Sequence, residues 1–197
     1  MTGASPLIGL AVVKGLPWLP ALFGEVWMPE ALRAEVLPGR GLRGEAEIAD
    51  ALAAGALRVW SAPVPQPLLP DLDDGEAACI RIGLQHRGEA LLLMDERGGR
   101  AVAHQSGLSV AGTAAVIGMA KARNLIAKAR PIFEALHQSN FRSSARSASR
   151  RSRACRRRLT RDNSPSWTAA RWEDRAGRIR RSVALADRLR RAGGAAH

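Results

Sequence analysis

The sequence predicts an α/β fold in which a parallel sheet is covered by helices on both faces. Three observations lead there. Short apolar runs such as ALLLM (90–94) and LSVAG (108–112) have the length and the lack of alternation of strands buried on both sides. These runs take turns with stretches of helical period, and glycine or proline marks most of the boundaries. Strands separated by helices pair in parallel, because the helix carries the chain back across the sheet.

In chain order, SPLIGLAVVK (5–14) reads as a short helix and GLPWLPALF (15–23) as a second helical piece. EVWMP (25–29) is a brief β-rich run ended by proline, and PEALRAEV (29–36) opens a helix with Pro29 at its start. EAEIADALAAG (45–55) is a helix stopped by Gly55, LRVWSA (57–62) is strand-like, and PVPQPLLPD (63–71) is a proline-rich connector. GEAACIRIGLQHRG (75–88) gives a helix, ALLLM a strand, RGGRAVAHQSG (97–107) a helix and LSVAG a strand. TAAVIGMAKARN (113–124) and ARPIFEALHQSN (129–140) are the last two helices.

The stretch DLDDGEAACIRIGL (71–84) crowds four carboxylates around one glycine ahead of a buried-looking helix. Glu76, Ile80 and Leu84 share a helix face, so the carboxylate tops an apolar stripe. Two readings stand side by side. In one, Asp73 or Asp74 caps the helix and Glu76 complements its dipole. In the other, the acids form a site, since open parallel sheets carry their sites at the carboxyl ends of the strands. Asp95 lies at such an end, directly after ALLLM and followed by Glu96, and Glu76 begins the preceding helix at the same sheet edge. Asp95 has its own structural reading as the N-cap of RGGRAVAHQ.

Charge divides the chain in two. Residues 1–142 hold 14 Lys+Arg and 14 Asp+Glu, whereas residues 143–197 hold 16 Arg and 4 acids, so the net +12 belongs to the tail. Two isolated cysteines, Cys79 and Cys155, give neither a zinc spacing nor a disulfide framework, which points to a reducing cytoplasm. No secretory signal or membrane span is expected, because Lys14, Gly15, Pro17 and Pro20 interrupt the apolar start. The four scattered histidines suggest no chemistry.

Taken together, ASPLIGL (4–10), PEALRAEV, LDDGEAACIRIGL (72–84), LLLMDERGGRAVAHQSGL (91–108) and VAGTAAVIGMAKARNLI (110–126) resemble the PIN-domain superfamily, and more narrowly its VapC-like bacterial proteins, over about residues 3–142. The resemblance implies a three-layer α/β/α sandwich and metal-dependent cleavage of RNA, as the toxin half of a toxin–antitoxin pair. A homodimer restrained by a small antitoxin protein is implied as well. Carried over onto this chain, the ligands of Mg²⁺ or Mn²⁺ are Glu35, Glu76 and Asp95, with Ser5, Asp73, Asp74, Glu96 and Thr113 supporting them. Hard cations of this kind prefer oxygen donors, and bound water supplies the nucleophile, which suits a chain poor in His and Cys.

The pattern departs from the family at its start. The family has an apolar strand and then Asp-x-Ser, but the residue two before Ser5 is Gly3, with only Met1 and Thr2 ahead of it. Either the reading starts upstream of Met1 or this copy has lost its first strand and first acid. Impaired cleavage follows, and the competing expectation is a non-catalytic remnant whose basic tail binds nucleic acid.

That tail contains Arg 16, Ala 11 and Ser 8 in 55 positions, a composition unable to bury a core and expected to be disordered or partly helical. Arg150, Arg151, Arg153, Arg156, Arg157 and Arg158 are its densest run and the candidate contacts to nucleic-acid phosphates. Trp172, Ala176, Ile179, Val183, Ala186 and Leu189 fall on one side of a basic amphipathic helix. An out-of-frame reading of a GC-rich gene gives the same composition.

Overall fold

A computed structural model describes residues 1–139 of the chain. The expected alternation is present: α1 (Ala4–Val12), α2 (Trp18–Phe23), β1 (Trp27–Pro29), α3 (Arg33–Val36), α4 (Glu45–Ala53), β2 (Arg58–Trp60), α5 (Asp74–Gln85), β3 (Leu91–Leu93), α6 (Arg97–Gln105), β4 (Ser109–Ala111), α7 (Thr113–Ala122) and α8 (Arg130–Gln138). PEALRAEV departs from the single helix expected: Glu30–Leu32 is a 3-10 turn and only Arg33–Val36 is α-helical. The tail arginines and the amphipathic segment at 172–189 lie outside the described residues.

Each strand is three residues long, and the pairing is parallel, β1 with β2 and β3 with β4. Residues 1–3 join the two pairs. Thr2 bridges Leu93 in parallel, with Gly3 N–H donating to the Leu93 carbonyl at 2.9 Å and Leu93 N–H to the Met1 carbonyl at 2.8 Å. On the other side, Thr2 N–H donates to the Trp27 carbonyl at 2.9 Å. The central position expected to be almost missing is therefore held by the first three residues, in the order β2, β1, residues 1–3, β3, β4.

The ladder on the β1 side stops there for a chemical reason. In a parallel ladder the donor returning to Thr2 belongs two residues beyond Trp27, and that residue is Pro29, which has no N–H. The Thr2 carbonyl accepts instead from the Cys79 thiol on α5, at 3.4 Å. Burial pushes that thiol up to about 12, so it stays protonated as a donor.

The helices fall into two groups about these strands. α1 contacts α3, α4 and α7, and α2 contacts α7, while α5 contacts α6, β1 and β3. Leu7, Leu10, Met28, Ile80, Leu92 and Met94 are wholly or almost wholly buried in one core that unites both groups. This is a mixed fold with parallel strands, and their common direction brings the starts of α5, α6 and α7 to the edge where the strands end.

Candidate functional site

The acid cluster sits at the start of α5. Asp73 is the N-cap: its backbone is extended, and its Oδ1 accepts from Glu76 N–H at 2.7 Å. Asp74 is the first helical residue and is exposed. Glu76 is half-buried, and its carboxyl is pushed up to about 7, first by burial and then by the negative charges of Asp73, Glu96 and Glu35. Glu35, on α3, is raised too, by burial and then by Asp73 and Glu96. A helix start favours negative charge by about 0.3–1 kcal/mol. The direction of the Glu76 shift means that desolvation and like charges outweigh this, so the expected dipole complement is not the dominant interaction.

None of Glu35, Asp73, Glu76 and Glu96 forms an ion pair among the described residues. Glu45 differs: its carboxylate accepts from the N–H groups of Gly39, Arg40 and Leu42, and these bonds hold its pKa low. Its charge is satisfied by the backbone, while that of Glu76 has no ion-pair partner among the described residues.

Asp95 belongs to a second cluster on the same edge. It does not cap α6, whose N-cap residue is Glu96, without a capping side-chain hydrogen bond. Asp95 turns instead to the start of α7: Oδ1 accepts from Thr113 N–H at 2.9 Å and Oδ2 from Thr113 Oγ1 at 2.5 Å. The charges acting on Glu76 are those of Asp73, Glu96 and Glu35. The fold thus brings Glu35, Asp73, Glu76 and Glu96 into mutual electrostatic range and sets Asp95 with Thr113.

Two glycines allow this closeness, and their role escapes a reading of charge patterns. A Cβ at Gly99 would stand 2.7 Å from Glu76 Oε1 and 2.9 Å from Met94 Cε, so with glycine at 99 these two side-chain ends approach α6 closely, and a side chain there would displace them. A Cβ at Gly112 would stand 2.7 Å from Asp95 Oδ1 and 3.0 Å from Arg100 Nη1. The available signal was the Gly98–Gly99 pair inside a helical pattern, which is unfavourable without a packing reason.

At the centre of the edge, Gly3 is buried and extended (φ −81°, ψ 172°). A Cβ there would meet Leu93 O at 3.5 Å and Pro6 Cδ at 3.9 Å, which are ordinary van der Waals contacts. Ser5 follows in the first turn of α1, half-buried.

The donor set suits a hard divalent cation in chemistry: oxygen ligands, partial burial and uncompensated negative charge. The spacing is looser than a coordination shell, for among the described residues no three His, Cys, Asp or Glu side chains stand close enough to grip one ion. Glu35, Glu76 and Asp95 are the side chains that would hold such a cation. Among the described residues, no helix is long and apolar enough to cross a membrane.

No curated protein and no solved structure matches the chain. One family model does, over residues 1–156, and it is described as a PIN domain. With parallel strands, acids gathered where those strands end, and a match covering most of its length, this chain belongs to the PIN-domain superfamily.

Proposed function

We propose that this chain is a metal-dependent endoribonuclease of the VapC-like type, the toxin component of a toxin–antitoxin pair, with cleavage impaired by glycine at position 3. Membership in the PIN superfamily supports a nuclease role. The observation that carries the metal site is Glu76: a half-buried carboxylate within electrostatic range of three others, with no ion-pair partner among the described residues. Such an arrangement opposes folding and is a common property of functional sites.

Bound Mg²⁺ or Mn²⁺ would supply an activated water and neutralise charge on the leaving oxygen. The chain's own contribution is placement. Asp73 fixes the first turn of α5 and with it the Glu76 backbone; Thr113 holds both oxygens of Asp95; Gly99 leaves room beside α6 for Glu76 Oε1. Without an acid at position 3, the ligand set lacks a charge at the centre of the sheet edge, which weakens cation affinity and fixed geometry together. Ser5 offers a hydroxyl there.

Thermal unfolding in EDTA and in rising Mn²⁺ or Mg²⁺ tests this, because a ligand bound only to the native state raises apparent stability. A rise in Tm with metal that is lost in Glu76→Gln and Asp95→Asn supports the site. No metal-dependent shift in the unsubstituted chain removes the cation and the nuclease mechanism with it. The second reading, a non-catalytic remnant, is favoured by one observation, Gly3, and predicts no cleavage of structured RNA even after position 3 is made acidic.

A further inference from the structure

We infer that the groove where β1 and β2 end is a subsite for one base of single-stranded RNA, beside the acids. Its cavity measures about 370 Å³ and is walled by Pro29, Trp60, Pro63 and Pro65, with Asp74 and Arg81 on the α5 side. That volume lies within the range of small-ligand sites.

The sequence builds the groove in a simple way. β1 ends at Pro29 and β2 at Trp60, so both strands deliver their last residues to one edge. The connector then passes through Pro63, Pro65 and Pro67, whose fixed φ angles favour an extended course over a helix. Arg81 Nε pins it to α5 by donating to the Pro67 carbonyl at 2.8 Å. Trp60 is held by edge contacts with Trp27 (5.8 Å between ring centroids) and His86 (5.3 Å), and its Nε1 has no acceptor among the described residues.

The lining selects the occupant. A phosphate is disfavoured, because Glu30 and Asp74 face the groove against the single cation Arg81. A base fits: its faces pack on tryptophan and proline, its amino groups donate to carboxylates, and its ring nitrogens and carbonyls accept from a guanidinium. The groove also adjoins the acids, since Asp74 follows the capping Asp73 and lies two residues before Glu76. A nucleotide whose phosphate lay at a cation held by those acids would place its neighbour's base on the groove side of the α5 start. This subsite rests on the ribonuclease reading, which names the polymer.

The test compares affinities of the full chain, in EDTA, for a short single-stranded RNA and for the same backbone carrying abasic sites. Any contribution of the tail to backbone binding is common to both ligands, so their ratio isolates base recognition. Stacking on one aromatic ring predicts a preference of about tenfold for the base-bearing strand. The preference should persist in Trp60→Phe and vanish in Trp60→Leu and in Ala78→Leu, which narrows the groove from α5 without altering an acid or the tryptophan. Equal affinity for the two strands overturns the subsite, as does a preference that survives both leucine variants. Binding of a peptide at the groove with no base preference overturns it as well. Cleavage in Mg²⁺ is scored separately, in Gly3→Asp: cleavage without base preference removes the subsite alone, and base preference without cleavage even in that variant removes the nuclease reading while leaving a nucleobase site.

Discussion

Replacing Glu76 by glutamine should make the metal-free protein more stable, with the gain growing as pH rises. Glu76 has a folded pKa of about 7 against the ordinary 4.5, so between those values the folded state keeps a proton that the unfolded state has lost. The stability this group contributes is therefore fully present below pH 4.5 and is lost as pH climbs through 7. At full strength the shift corresponds to about 3 kcal/mol. Solvent reaching a half-buried carboxylate reduces the expected effect to about 1–2 kcal/mol. Glutamine keeps the shape that packs against Gly99 and removes the charge. Thermal unfolding in EDTA should show Glu76→Gln unfolding about 3–8 °C higher than the unsubstituted chain at pH 8, with little difference at pH 5. Saturating Mn²⁺ should reverse the order at pH 8. An unchanged or lower Tm for the variant at pH 8, or the same difference at both pH values, would refute the claim that like charge and burial strain this carboxylate.

The glycine pair gives a matched experiment: Gly98→Ala should stabilise α6 by about 0.5–1 kcal/mol, because its Cβ meets only Leu72 Cδ2 at 3.8 Å. Gly99→Ala should stabilise less than Gly98→Ala, because its Cβ must push aside Glu76 Oε1 at 2.7 Å and Met94 Cε at 2.9 Å, the mobile ends of two side chains, at a cost of about 1 kcal/mol that offsets the gain in helix propensity; urea unfolding of the two variants reads the difference. Making position 3 acidic with Gly3→Asp should raise Mg²⁺-dependent cleavage of structured RNA by about a hundredfold, and the same change combined with Asp95→Asn should not. Removing residues 143–197 should weaken RNA binding and flatten its dependence on salt, measured by fluorescence anisotropy from 50 to 200 mM; equal affinity with and without the tail refutes its role.

Much of the fold can be read from the chain because its signals are local. ALLLM and LSVAG are too short and too apolar for surface helices, and β3 and β4 lie within them. Asp73 followed by Glu76 announces a capped helix, and α5 starts there. The features that escaped depend on distant partners. The bonds of Asp95 go to Thr113, eighteen residues on, beyond the helix it was expected to cap. The upward shift of Glu76 comes first from burial and then from Asp73, Glu96 and Glu35, and the burial and the last two charges depend on parts of the chain distant in sequence. Three residues at the start of the chain have no periodicity to read, so their place in the sheet is visible only once Leu91 and Leu93 stand beside them.

That last arrangement constrains the order in which the protein can be assembled. During synthesis the segment destined for the middle of the sheet emerges 90 residues ahead of its partner Leu91. Closing so long a loop is entropically unfavourable until β3 has left the ribosome, so the centre completes after the β1–β2 pair has had time to form. In the interval the inner border of β1 is covered at most by residues 1–3, held by the single Thr2–Trp27 bond, and a border so loosely held is the kind on which foreign strands assemble. Pro29 withholds a donor there. The proline that shortens the finished ladder thus also makes the nascent chain a poorer template for aggregation.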